Sequence, residues 1–154
     1  MLKRIYDNIK LPKRSTKKSG GYDLYSPITF FLGKMSLFAD SDLHQPEILI
    51  PTGIRAKMDD DVVLLCCPRS GQGFKYGIEL ANTTGVIDAD YYNAANEGHI
   101  MAKLVRKCIG PENQFCCEAG QAFMQGIFIH YLTTDNDDAD GERTGGFGST
   151  DKKE

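Results

Sequence analysis

The stretch that decides the reading is Gly85-Val86-Ile87-Asp88-Ala89-Asp90-Tyr91. Val86 and Ile87 favour extended backbone, and side chains of an extended chain alternate between two faces. If the extension continues, Asp88 and Asp90 share one face while Ile87, Ala89 and Tyr91 share the other. A small Ala89 beside the ring leaves room for a flat group to lie against Tyr91. The plainer alternative is a solvated acidic turn that closes a hairpin. Seven residues leave both open, and the flanking chain supplies the context.

Outward from this stretch, short apolar runs alternate with breakers. Asn82 to Gly85 reads as a turn, and Val62 to Cys67 has the length and composition of a buried strand, stopped by Pro68-Arg69-Ser70-Gly71. Residues 47 to 56 predict strand, turn, strand. Tyr22-Asp23-Leu24-Tyr25 alternates as a strand entered through Gly20-Gly21, and Ile28 to Phe31 is a second short piece. The Lys/Arg-rich lead-in up to about Ser19 reads as solvated and mobile, and residues 33 to 46 as a loop. Toward the C-terminus, Gly98 to Val105 alternates with Ile100, Ala102 and Leu104 on one face, and Phe115 to Leu132 reads as two strands or one bent one. Short strands at steady spacing predict an all-β sandwich or barrel, with at most one short helix hidden in residues 71 to 80. Residues 1–132 make the β domain. Residues 133–154 make an acidic linker, with nothing to bury, and a glycine-rich C-terminal arm.

The 154 residues suit one domain, and Lys+Arg 18 against Asp+Glu 21 leaves a net charge of -3. Stable, sequence-independent nucleic-acid binding needs a broad positive excess that this chain lacks. No apolar run is long enough to cross a bilayer, and Met1-Leu2-Lys3-Arg4 is followed by no apolar h-region. Cys66, Cys67, Cys108, Cys116 and Cys117 have no Cys-x-x-Cys spacing and no His at zinc spacing. They read as inert or structural thiols in a reducing cytoplasm. His44, His99 and His130 are scattered, and His130, in an apolar run, reads as a core or edge residue.

Three polar clusters stand at strand ends. In Pro68-Arg69-Ser70-Gly71, Arg offers a planar fork of donors, Ser a hydroxyl, and Gly close access to backbone N–H groups. Gln125 is a polar residue amid apolar neighbours. Arg143-Thr144-Gly145-Gly146-Phe147-Gly148-Ser149-Thr150 carries one Arg and one Phe among glycines, an unusual content for a passive linker. Such an arm can close over a ligand, with Phe147 stacking on a base and Arg143, Ser149 and Thr150 meeting phosphates. A ring-and-carboxylate pocket, two phosphate-friendly segments and a lid together describe a nucleotide site.

The order Gly20-Gly21-Tyr22-Asp23-Leu24-Tyr25-Ser26, Pro68-Arg69-Ser70-Gly71, Asn82 to Tyr91, Gly120-Gln121-Ala122-Phe123-Met124-Gln125 and Gly145 to Thr150 resembles the five ordered motifs of the trimeric dUTP diphosphatases. The resemblance spans residues 20 to 150. It implies a jelly-roll β fold, a homotrimer with sites shared among chains, and hydrolysis of dUTP to dUMP and pyrophosphate with Mg²⁺ on the phosphates. This reaction limits uracil in DNA and supplies dUMP for thymidylate synthesis. It implies that Asp88 activates the attacking water and that Tyr91 packs on the deoxyribose. Asn82, with the backbone around Gly85 and Ile87, reads uracil. Arg69, Ser70, Gly71 and Gln125 meet the phosphate chain, Asp23 supports the phosphate and metal side, and Arg143, Phe147, Gly148 and Ser149 close the site. Mg²⁺ is held mainly by phosphate oxygens and water rather than by side chains.

Two departures stand out. Only Thr144 separates Arg143 from Gly145, and Tyr92 to Gly98 is longer and more polar than the family's usual turn, offering Tyr92 as a lid residue beside or instead of Phe147. Alternatives within the same fold are a dCTP deaminase-type relative and a non-catalytic, nucleotide-sensing or protein-binding trimer.

Overall fold

A computed structural model describes residues 7–33, 47–107, 114–141, 143, 145 and 146. Its elements are β1 (Tyr22–Tyr25), β2 (Phe30–Gly33), β3 (Glu47–Pro51), β4 (Val62–Pro68), α1 (Ser70–Tyr76), β5 (Ile78–Leu80), β6 (Gly85–Ile87), a 3-10 turn (Ala89–Asn93), β7 (Met101–Arg106), β8 (Gln114–Cys117) and β9 (Ala122–His130). They form three antiparallel sheets with strand orders β1-β9-β4-β6, β2-β8 and β3-β7-β5. Side chains from all three meet in one core, and among the described residues the elements are β-strands with one short α-helix.

The apolar run of β4 is central because its backbone is bonded on both sides. It pairs with β9 from Val62↔His130 to Pro68↔Met124 and with β6 from Leu64↔Ile87 to Cys66↔Gly85. β7 shows the alternation read from sequence: Ala102, Leu104 and Arg106 are buried, while Lys103 faces out and pairs with Glu47 at 2.7 Å. The buried Arg106 donates from Nε to the Tyr76 carbonyl (3.0 Å), tying β7 to the end of α1. That helix stops at Gly77, whose φ of 65° is the left-handed cap that glycine adopts freely.

Two segments differ from the sequence reading, and a third settles a choice it left open. No strand follows the turn at Gly53. Thr52 Oγ1 donates to the Ile100 carbonyl at 2.6 Å and accepts from the Ile54 N–H at 3.0 Å, so a side chain takes up groups a ladder would use. The lead-in, where described, is docked: Lys13 exchanges backbone hydrogen bonds with Asp23 and so covers the open side of the edge strand β1. The extension after Ile87 ends at Asp88, because a turn over Ala89–Asn93 lets Tyr91 sink into the core. Of the two readings of residues 115 to 132, the structure takes two strands, broken at Gly120 (φ 83°). The loop expected over 33 to 46 lies, from residue 34 on, outside the described residues, as do His44 and Cys108. Among the described residues no helix is long and apolar enough to cross a membrane.

Phe123 on β9 is fully buried and meets Phe30 edge-on, with ring centroids 6.3 Å apart. Phe123→Ala should lower unfolding stability by about 3–5 kcal/mol. Urea denaturation checks this, and a loss under ~1 kcal/mol would mean that Phe123 is not the core residue described.

Candidate active site

The first half of the site lies between β4 and β6. Asn82, Thr83 and Thr84 turn the chain, with Thr83 at φ 66° and the Thr84 N–H donating to the Asn82 carbonyl at 2.7 Å. Gly85 then enters β6 directly opposite Cys66, where a Cβ would stand 3.2 Å from the Cys66 Cβ. Beneath the turn is a cavity of ≈ 420 Å³ whose lining includes Cys66, Leu80, Asn82, Gly85, Ile87 and Met124. Its size suits a small flat ligand, and its walls are mostly apolar. The Cys66 thiol is pushed up to about 12 by burial and, secondarily, by neighbouring Cys67, so it stays protonated and acts as wall rather than nucleophile.

β6 leads directly into Asp88, the residue before the 3-10 turn, with Asp90 two residues on. Their side chains are 48 % and 52 % exposed, and both are held by Arg143 of the C-terminal arm. Arg143 Nη2 contacts Asp88 Oδ2, and Nε donates to Asp90 Oδ1 at 2.7 Å. The guanidinium carbon also lies 5.9 Å from the Tyr91 ring centre. Tyr91 itself is 5 % exposed and is not among the residues lining the cavity. Its hydroxyl donates to the His99 carbonyl at 3.0 Å and accepts from Asn96 Nδ2 at 2.7 Å. The ring of Tyr92 is taken up differently, with the Arg55 guanidinium 4.1 Å from its centre. Phe147, Gly148 and Ser149 lie outside the described residues.

The second half of the site is a separate pocket lined by Ser15, Asp23, Arg69, Ser70, Gly71, Gln72 and Gln125. Asp23 and Gln125 face each other across β1 and β9. Arg69 precedes α1, and its Nε is 3.2 Å from Asp23 Oδ1. Ser15 Oγ donates to the other oxygen, Asp23 Oδ2, at 2.8 Å. Gln125 Nε2 reaches the Pro68 carbonyl at 3.4 Å. Asp23 thus anchors Arg69 from its Nε side and the Ala122 carbonyl accepts from Nη1 at 3.5 Å, while Nη2 and the Ser70 hydroxyl line the same pocket with donors suited to an anion. The structure therefore brings Asp23, Arg69, Ser70, Gly71 and Gln125 together. It gathers Asn82, Gly85 and Ile87 at the other cavity, with Asp88, Tyr91 and Arg143 clustered just past the end of β6.

Two participants escaped sequence reading. Ser15 sits in a segment whose composition signalled only solvation. Asn96 sits in the long turn after Tyr91, and that extra length was its one visible signal. Among the described residues no three His, Cys, Asp or Glu side chains converge on a point that could hold a metal ion.

A jelly-roll protein with a nucleoside-sized cavity and a distinct anion pocket belongs among the nucleotide-handling β proteins. Residues 7–151 match the dUTPase family, and the chain belongs to it. A deoxyuridine 5'-triphosphate nucleotidohydrolase of Lactococcus lactis is 39% identical over 145 residues, covering 92% of this chain and 88% of the relative. The enzyme of the same name from Dictyoglomus turgidum is 31% identical over 85% of this chain and 80% of its own. The crystal structure of the Streptococcus mutans dUTPase superposes with a TM-score of 0.67 at 35% identity, over 84% of this chain and 91% of that one. A mutant dUTPase of phage phi11 of S. aureus, whose structure details the coordination of a structural Mg(II) ion, shares the fold at a TM-score of 0.65 and 18% identity, over 90% and 94% of the two chains.

His99 offers a pH test of the contact that ties the turn after Tyr91 to Gly53. Its Nε2 accepts the Gly53 N–H at 2.9 Å, and burial lowers its affinity for protons from the ordinary 6.5. The unfolded chain therefore binds the proton more readily, so this contribution is complete above pH 6.5 and is lost as pH falls below it. Melting temperature should drop more steeply between pH 7 and about 5 in the native chain than in His99→Gln, whose amide oxygen keeps an acceptor. Equal slopes would rule out this role.

Proposed function

We propose that this chain hydrolyses dUTP to dUMP and pyrophosphate, and that its active site is assembled from more than one copy. The observation that carries the second point is the strand register. Leu64 pairs with Ile87, so Asp88 falls beside Val63, while Arg69 follows the opposite end of β4. Six residues of strand span about 20 Å. That is longer than a triphosphate can bridge while its α-phosphorus sits at Asp88 and its outer phosphates sit at Arg69. The nucleoside cavity and the anion pocket share no lining residue, which fits the same reading. A homotrimer closes this gap: one chain offers Asn82 to Tyr91, a neighbour offers Asp23, Arg69, Ser70, Gly71 and Gln125, and an arm covers both.

In this scheme uracil enters the apolar cavity under the Asn82 turn, whose backbone N–H and C=O groups read its edge. Tyr91 lies against the sugar and leaves no space for a 2′-hydroxyl. Asp88 accepts the proton of a water as its oxygen attacks the α-phosphorus in line. The bond to the bridging oxygen breaks, and its electron pair leaves with pyrophosphate. Arg69 and Gln125 hold the charge that moves onto the leaving phosphates. A bound Mg²⁺ would be held by triphosphate oxygens and water on the Asp23 side of the anion pocket, where it would supply neutralisation of phosphate charge. Residues 133–154 act as linker and lid, with Arg143, Phe147, Gly148 and Ser149 on the closed site. The free thiols Cys66, Cys67, Cys116 and Cys117 suit a reducing cytoplasm.

Asp88→Asn should lower kcat for dUTP by about 10²–10⁴ while nucleotide binding persists. An unchanged kcat would remove the base assignment. Arg69→Ala should be similarly inactive, yet refolding the two variants together should restore a fraction of native activity, because mixed trimers contain sites with both native residues. Co-refolded mixtures as silent as the parents would argue for a site built within one chain.

A further inference from the structure

The segment from Tyr92 to Gly98 is the part of the chain that the proposed reaction leaves without a task. It is held in an unusual conformation. Glu97 and Gly98 both have positive φ (60° and 67°), and a Cβ on Gly98 would lie 2.7 Å from the Tyr92 carbonyl oxygen. This tight turn carries Asn96 back to the hydroxyl of Tyr91. Asn96 Nδ2 donates to Tyr91 Oη at 2.7 Å and to the His99 carbonyl at 3.3 Å, and Oη donates to that same carbonyl at 3.0 Å. The phenol oxygen is thus engaged as both acceptor and donor, which fixes the ring at its far end while the backbone turn fixes it at the near end. Asn96 Oδ1 is buried without a hydrogen-bond partner. The arm also rests here: a Cβ on Gly146 would stand 3.4 Å from Asn96 Cγ, and Arg143 lies over the Tyr91 ring.

We propose that Asn96 is a specificity-determining positioning residue, which pins Tyr91 so that its ring bars ribonucleotides. The inference rests on the reading that Tyr91 packs against the deoxyribose. Excluding a single oxygen requires a ring that cannot give way, and a phenol whose hydroxyl is held by the His99 carbonyl alone can shift more readily than one held by two partners. Asn96 supplies the second partner. Its unpartnered acceptor has a cost that a residue serving stability alone would not need to bear.

The test compares kcat/KM for dUTP and UTP in the full-length enzyme and in Asn96→Ala, Asn96→Asp, Tyr91→Phe, Asn96→Ala/Tyr91→Phe and Tyr91→Ala. Asn96→Ala should raise the UTP-to-dUTP ratio about fivefold or more, the scale set by one hydrogen bond. Tyr91→Phe, which keeps the ring and removes the anchored oxygen, should do the same, and the double variant should add little further. Asn96→Asp keeps the shape but lacks the amide donors, so it should relax the ratio even if the alanine variant folds poorly. A parallel loss for both substrates with the ratio intact would make Asn96 merely structural and overturn the proposal. If Tyr91→Ala loses discrimination while the Asn96 variants keep it, this inference alone falls. If Tyr91→Ala keeps full discrimination, the sugar reading falls and takes the inference with it.

Discussion

β4 is bonded along both edges, to β9 over its whole length and to β6 over three residues. That constraint fixes where every functional group can be. Its antiparallel neighbour β6 must deliver Asp88 beside the start of β4, and the chain leaving its end must deliver Arg69 at the other. β9, paired in register, brings Gln125 opposite Cys67 and, through β1, opposite Asp23. The two halves of the site are therefore held apart by a rigid ruler of paired backbone, not by loops that could be rearranged. The close approach of Cys66 to Gly85, where an added Cβ would stand 3.2 Å from the Cys66 Cβ, leaves little slack in that register.

Charge organises what the strands position. Asp88 and Asp90 stand close enough to share one guanidinium, and in the structure Arg143 serves both. Arg143 is only 16 % exposed, but Asp88 and Asp90 are 48 % and 52 % exposed, so water screens the carboxylate side of the contact. Arg143 takes one acceptor direction of Asp88 Oδ2 in the structure. In the proposed reaction the triphosphate, which carries more negative charge than the two carboxylates, competes for that guanidinium. Asp23 and Arg69 form the matching pair in the second pocket, but there the carboxylate is also held by Ser15 and stays with its arginine.

How much of this could be read from residues alone follows from which interactions are local. The β4 run, the Asn82 turn and the short helix within residues 71 to 80 are decided by apolar length, by small polar residues and by a glycine cap, all visible in sequence. The set Asp23, Arg69, Ser70, Gly71 and Gln125 could be grouped by motif order, and the ladder places them together. What escaped depends on distant partners. No strand forms after Gly53 because Thr52 bonds to Ile100, far along the chain. Lys13 to Ser15 look solvated until β1 offers an open edge. Asp88 to Tyr91 alternate as a strand would, yet burial of one aromatic ring outweighs the extended preference of the two residues before it.

The exposed apolar residues continue the argument for a shared site. Val86 and Leu49 are 57% and 52% exposed, and both lie on the rim of the nucleoside cavity. Among the described residues β6 pairs on one side only. A monomer would leave apolar side chains in water beside that strand and an apolar cavity, an arrangement that invites wrong partners. In the proposed homotrimer, a neighbouring copy would cover that rim, bury these groups and narrow the cavity mouth. The same contact would bring the neighbour's Arg69 pocket toward the cavity, so that burial of an apolar rim and completion of the proposed site call for one and the same interface.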